Sequence, residues 1–111
     1  MTEPTAMPDD DLDTALLKLT LQATEPDLLI PILSKYVVMT RKEAECRNAD
    51  LCVAFAVPNR FVIIEKWESY DAARRHFDSP VMVEMAASCS GILTERPDID
   101  LLQGLSAHDL N

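Results

Sequence analysis

Between Ala15 and Ala23 the chain alternates, with Leu17, Leu19, Leu21 and Ala23 on one side of an extended segment and Lys18, Thr20 and Gln22 on the other. That period of two predicts a strand with one apolar face. The alternation returns between Phe61 and Trp67, where aromatic and β-branched residues suit a pleated surface. There Phe61, Ile63, Glu65 and Trp67 share one face and Val62, Ile64 and Lys66 the other, so the single Trp lies on the same side as an acid. The intervening stretch, Cys46 to Val57, contains a strand that is apolar on both sides, Leu51, Val53, Phe55 and Val57 against Cys52, Ala54 and Ala56. Such a strand fits a sheet with helices on one face and a second subunit on the other. Pro58-Asn59-Arg60 folds it onto the next strand as a hairpin.

Elsewhere the apolar period lengthens to three and four. After the turn Thr24-Glu25-Pro26, Asp27 stands as a helix N-cap, and Leu29, Ile32, Leu33, Tyr36 and Val37 form a stripe facing the sheet. Lys35, Arg41, Lys42 and Glu43 fall outside it, toward water or a neighbouring charge. Counted from Asp27, Pro31 is late in the first turn and removes a single early backbone bond, whereas a start well before Asp27 would put a kink there. Ser69 caps a second helix from Tyr70, with Asp71 near its positive end and a stripe of Ala72, Ala73, His76 and Phe77. Ser79-Pro80 begins a further helix, Val81 to Ile92, ending near Gly91, and Ile99 to Leu105 reads as a last strand. The order β-α-β-β-α-β predicts an α+β, ferredoxin-like fold: a four-stranded antiparallel sheet with helices on one face. Residues 14–107 form one domain, after an acidic tail of residues 1–13 that holds few large apolar groups and before a frayed end at residues 108–111.

Composition changes this picture little. At 111 residues, 48% hydrophobic and 26% charged, the chain is an ordinary globular domain, small enough for oligomerisation to aid stability. The net charge of −9 argues against nucleic acid and anionic membranes, which are held chiefly by Lys and Arg. Cys46, Cys52 and Cys89 are an odd number without ligand spacing, which implies reduced thiols in a cytoplasmic protein and no zinc. With Gly91 and Gly104 as the two glycines, a loop that cradles phosphate is implausible, and neither HExxH nor a nucleophile elbow is present.

Candidate chemistry gathers around Trp67. Its indole N–H could meet a substrate or oxygen, or be satisfied within the core. Glu65 is either a buried acid or base or the partner of Lys35 or Arg41 in an ion pair. His76, on the inner stripe of its helix, is either the best general base in the chain or a structural His bonded to a backbone carbonyl. Met82 and Met85 read as core fillers, and Arg74 and Arg75 as solvated charges.

Glu65-x-Trp67-x-Ser69, then Asp71-Ala72, His76 and Ser79-Pro80, resembles the signature of the antibiotic biosynthesis monooxygenase family. The resemblance implies a ferredoxin-like subunit paired as a homodimer into a dimeric α/β barrel. It also implies oxygenation of quinol-like or polycyclic phenolic molecules with O2, without cofactor or metal, the electrons coming from the deprotonated substrate. By position Trp67 and His76 match the family's Trp and His, while Val81 stands where the family often has a second His. Glu65, Trp67 and His76 become the expected catalytic residues, and Phe61, Leu19 and Met85 the expected walls of an aromatic substrate site. A haem-degrading branch of the same fold needs an Asn on the first strand and a His on the last helix. Here the first Asn is Asn48, Ala86 falls near the place of that His, and His108 lies in the tail. Haem is therefore not the expected substrate. A ligand-binding or assembly domain without turnover is the alternative, given so few acid–base groups.

Overall fold

The computed structural model describes residues 14–106, so the tail and the frayed end lie outside the described residues. Four strands, β1 (Ala15–Gln22), β2 (Cys46–Val53), β3 (Arg60–Trp67) and β4 (Asp98–Gln103), form one antiparallel sheet in the order β2-β3-β1-β4. Helix α1 (Pro26–Arg41) joins β1 to β2, and the short helices α2 (Tyr70–Phe77) and α3 (Pro80–Ser88) join β3 to β4. This is the ferredoxin-like arrangement, with the second crossover split into two helices by Ser79-Pro80.

The alternations set which face is covered. Leu17, Leu19 and Leu21 of β1 and Ile63 of β3 are fully buried and meet Leu29 and Leu33 of α1, Ala72 and Ala73 of α2, and Met82 and Met85 of α3. A stripe of this kind contributes roughly 1.5–3 kcal/mol per large apolar side chain removed from water. On the outer face, Ile64 is 45% and Leu102 47% exposed, so no helix covers it among the described residues.

Local punctuation follows side-chain chemistry. Ser69 Oγ accepts from the Ala72 amide and Ser79 Oγ from the Met82 amide, capping α2 and α3. Two boundaries differ from the sequence reading. Helix α1 begins at Pro26, with Glu25 in the cap position and Asp27 inside the first turn, because proline's fixed φ and missing donor suit the first helical position. Strand β2 stops at Val53, leaving Phe55 fully exposed in the connection to β3. Pro58 offers no donor there and Asn59 takes a positive φ of 62°, so the ladder closes with Val53 opposite Phe61. The last strand and α3 are likewise shorter than their patterns suggest, and Gly91 (φ 78°) lies in the turns after α3.

Strand β2 also carries a register shift between Cys46 and Asn48. The extra residue, Arg47, lets both Cys46 and Ala49 pair with the inward-facing Trp67 and Glu65. Among the described residues, no helix is long and apolar enough to cross a membrane, and Cys46, Cys52 and Cys89 are free thiols.

On the inner face of α1, Thr40 is fully buried and its hydroxyl is near Tyr36, yet outside hydrogen-bond geometry and without a partner among the described residues. A buried unsatisfied hydroxyl costs about 1–3 kcal/mol, so Thr40→Val, of matching shape, should raise the unfolding free energy by about 1 kcal/mol. Urea titration measures this directly; equal or lower stability would mean that the hydroxyl is bonded after all.

Candidate active site

The inner face of β3 ends in two residues that an apolar core does not accept without help, Glu65 and Trp67. Both are buried, and β3 presents them to the same side, two positions apart. The indole Nε1–H of Trp67 donates to Glu65 Oε1 at 2.9 Å. From across the layer, the hydroxyl of Tyr36 on α1 lies 2.5 Å from Glu65 Oε2. The same hydroxyl is 2.7 Å from Nε2 of His76, which α2 projects inward from the stripe of Ala72 and Ala73. The His76 ring stacks against Trp67, with centroids 4.6 Å apart, and its Nδ1 lies 2.9 Å from Glu43 Oε2.

Glu43 reaches this place because the chain keeps turning past the end of α1. Its amide bonds to the Thr40 carbonyl and its own carbonyl accepts from the Cys46 amide. Tyr36, Thr40 and Glu43 therefore follow one another at spacings of four and three, a polar row on an otherwise apolar helix face. Ser79 Oγ, 3.5 Å from Nδ1, closes the other side of the imidazole.

The predicted site residues thus divide. Glu65, Trp67 and His76 come together in one hydrogen-bonded cluster, and Trp67 and His76 line a cavity of about 270 Å³ whose rim carries Glu43, Glu45 and Arg75. Leu19 and Met85 line a separate apolar cavity of about 330 Å³, beside Met82, Cys89, Leu93 and Ile99. Met85 also borders a third, of about 360 Å³, between α1 and α3, where it meets Tyr36. Phe61 is buried in the core at the far end of β3.

Several partners differ from the sequence reading. Glu65 makes no ion pair with Lys35 or Arg41: Lys35 pairs with Glu84 at 2.5 Å, and Arg41 with Asp50 and the Ala49 carbonyl. Its donors are neutral, a phenol and an indole. His76 meets side chains, not the backbone carbonyl of its structural alternative, and Arg75 pairs with Glu45 at 2.6 Å. Tyr36 and Glu43 are the cluster members that pattern reading missed. A phenol within an apolar stripe, followed by Thr40 and Glu43 on the same face, is the signal that could have found them.

Burial dominates the electrostatics. It pushes Glu65 up to about 7, a rise that Glu43 reinforces and that the hydrogen bonds from Tyr36 and Trp67 restrain. It pushes His76 down to about 4, so the imidazole is neutral at pH 7 despite the carboxylates beside it. Tyr36 is raised by burial and by the charge of Glu65, and Glu43 by burial. The cluster therefore holds a carboxyl that titrates near neutrality beside an unprotonated imidazole, a pairing suited to moving protons.

The sequence pattern of the family described as antibiotic biosynthesis monooxygenase matches residues 14–88, β1 through α3. The chain belongs to the antibiotic biosynthesis monooxygenase family. Solved structures agree in fold. A Nitrosomonas europaea protein bearing the same family name superposes with a TM-score of 0.79 at 12% identity, over 87% of this chain and 95% of that one. One from Deinococcus radiodurans, also under that family name, gives 0.77 at 20% identity, over 87% and 98%. The Mycobacterium tuberculosis protein Rv0793 gives 0.71 at 25% identity, over 80% and 92%. No curated protein matches the chain. The matched region of this antibiotic biosynthesis monooxygenase family member includes all five residues of the cluster.

The raised carboxyl predicts a pH signature. An unfolded Glu titrates near 4.5 and the folded Glu65 near 7, so between these values the folded chain holds a proton that the unfolded chain has lost. Glu65 thus favours folding at low pH, and that contribution is lost as pH rises through about 7. His76 acts in the opposite sense, from about 4 to 6.5, and is present in the variant too. Glu65→Gln, which mimics the protonated acid, should gain on wild type by on the order of 2 kcal/mol between pH 5 and pH 8. Urea melts of both proteins at the two pH values measure the difference; a gap that stays constant would place Glu65 at its ordinary titration.

Proposed function

We propose that this chain is a cofactor-independent monooxygenase that oxygenates a quinol-like or polycyclic phenolic molecule with O2. The observation that carries this reading is the cluster itself: a carboxyl that titrates near neutrality and a neutral imidazole sit against Trp67 at a cavity wall. In this reading His76 accepts the phenolic proton, Glu65 sets the charge of the cluster, and Trp67 orients the ring or the peroxide formed on it. Leu19, Met85 and Phe61 stand outside that cavity, so the apolar wall that keeps water from the carbanion is Ala44, Ala72 and the Trp67 ring.

The substrate provides the electrons. The phenol and its ring-CH2 form are tautomers of one acid, so losing the proton that His76 accepts gives a single anion, whose ring carbon adds O2 and takes the proton back as a hydroperoxide. The O–O bond then breaks as the carbon's second hydrogen leaves as a proton, giving C=O and water. Overall CH2 and O2 become C=O and H2O, with no outside reductant.

Ligand binding without turnover is the second reading. It is favoured by Trp67 and His76, each 1% exposed, whose hydrogen-bonding capacity is spent within the cluster. An aerobic screen of quinols and hydroxylated polycyclic aromatics, followed by oxygen uptake, separates the two: uptake supports oxygenation, and saturable binding without uptake supports the second reading. With a substrate in hand, His76→Ala should lower turnover by about 10²- to 10⁴-fold while the fold persists, as expected for loss of a general base. A folded variant with full activity would make His76 structural.

We also propose that the working unit is a homodimer in the cytoplasm, where the three thiols stay reduced, paired through the outer face of the sheet. Ile64 and Leu102 stand exposed there, with Leu16 and Val62 half-buried beside them, on the side away from the helices. A stable interface on this face should bury more than about 1,000 Å² in total. Light scattering at micromolar concentration should give twice the chain mass; the monomer's mass would reject the pairing.

A further inference from the structure

The polar side chains behind Trp67 can be counted proton by proton. Glu65, Tyr36, His76 and Glu43 are joined in series by three contacts of 2.5, 2.7 and 2.9 Å. At those separations each contact holds one proton, because two facing lone pairs would repel. A neutral tyrosine and a neutral imidazole bring two protons, and the two carboxylates bring none. The third must be extra. If it rests on Glu65, that acid donates to the Tyr36 oxygen, the Tyr36 hydroxyl donates to Nε2, and Nδ1–H donates to the Glu43 carboxylate. If it rests on Glu43, every donor reverses: Glu43 donates to Nδ1, Nε2–H to Tyr36, and Tyr36 to the Glu65 carboxylate. The arrangements differ by one hop across each contact, and no heavy atom has to move.

We propose that Tyr36 and Glu43 complete a proton relay through which the sealed carboxyl of Glu65 exchanges its proton with solvent. The geometry gives the relay two unlike ends. Glu65 is fully buried, whereas the Glu43 side chain is 29% exposed at the rim of the cavity it shares with Glu45 and Arg75. The Trp67 indole N–H points at Glu65 Oε1 in both arrangements and so leaves the exchange to the other oxygen.

The groups that face the relay leave it without a fixed cation. From α1, Arg41 is held by Asp50 and the Ala49 carbonyl; from α2, Arg75 is held by Glu45. Thr40 of α1 and Ser79 at the start of α3 contribute hydroxyls, and Cys46 of β2 contributes a thiol that burial and Glu65 push up to about 11. With no lysine or arginine among the described residues bound to it, the chain of four holds one negative charge, which the hops carry from one end to the other. The inference extends the proposed oxygenation, in which a proton taken in the pocket must leave it, and rests on the same cluster. It concerns the ligand-free protein, however, so its test stands whether or not a substrate is found.

The test is an NMR titration of the full chain from pH 5 to 8.5, following the ¹³C carboxyl of Glu65 and both ¹⁵N ring nitrogens of His76. Wild type should show the Glu65 carboxyl and the His76 nitrogens changing at one shared midpoint, because loss of the extra proton leaves two protons for three contacts and so changes what Nε2 meets. In Tyr36→Phe the shared transition should shrink at His76, because the acid and the ring then meet only across the 3.6 Å from Nε2 to Glu65 Oε1. In Glu65→Gln, whose amide N–H can still donate to Tyr36, His76 should stay in its Nδ1–H form across the range. Ring nitrogens that remain flat through the Glu65 midpoint in wild type would overturn the relay, as would a His76 transition unchanged in Tyr36→Phe. Should Tyr36→Phe not fold, Glu65→Gln decides: loss of the His76 transition supports the relay, and its persistence refutes it.

Discussion

A carboxyl group on the covered face of the sheet's inner strand β3 is the constraint to which the neighbouring elements answer. An isolated ionised carboxylate in such a place costs several kcal/mol even after relaxation, and far more by ideal solvation. The fold meets that cost with neutral donors and a shared proton where an ion pair would be the usual device. This choice fixes three other things. Helix α1 must present a phenol at the level of Glu65, α2 must bring an imidazole within reach of that phenol, and β3 must end in a side chain with an N–H, which is Trp67. Packing and polar satisfaction are thus one problem at this end of the sheet, and Ala49, the small residue opposite Glu65 on β2, leaves room for the solution.

The two ends of the layer differ accordingly. Toward Phe61 and Leu21 the space between sheet and helices is filled by aliphatic and aromatic groups and by the sulfurs of Met85 and Cys89. Toward Trp67 it holds four titratable side chains. An apolar interior tolerates exchange among residues of similar volume, since the hydrophobic effect is not directional. A hydrogen-bonded interior does not, because each partner lost leaves another unsatisfied.

Much of this was legible in the sequence, for physical reasons that can be named. The strands of Leu17 and Ile63 showed themselves because a sheet covered on one face forces a period of two. Ser69 and Ser79 showed themselves because a hydroxyl before a helix has one obvious partner. The juxtaposition of Glu65, Trp67 and His76 followed from strand alternation and helix spacing, both local. What was not legible depends on residues far apart in the chain. Tyr36 lies 29 positions from Glu65 and 40 from His76, and no local period records their meeting. The end of β2 was misread for a different reason: Phe55 and Val57 have strand-like side chains, but Pro58 and the left-handed Asn59 decide where pairing stops. Apolar character was mistaken there for burial.

The extra residue in β2 has a consequence for how the chain tolerates changes of length. Arg47 sits where the strand leaves the turn that carries Glu43, and a strand shortened by one residue turns every side chain before it to the opposite face. Cys46 would then point away from Trp67, and Glu43 would be drawn by roughly one strand step, about 3.3 Å, from the imidazole it meets. The connection between Val53 and Arg60 carries no such phase, for it ends in a loop whose Phe55 touches water. One end of β2 is therefore a ruler and the other a spacer. Insertions and deletions that the hairpin absorbs without effect would, ten residues earlier, disconnect the buried acid from the surface.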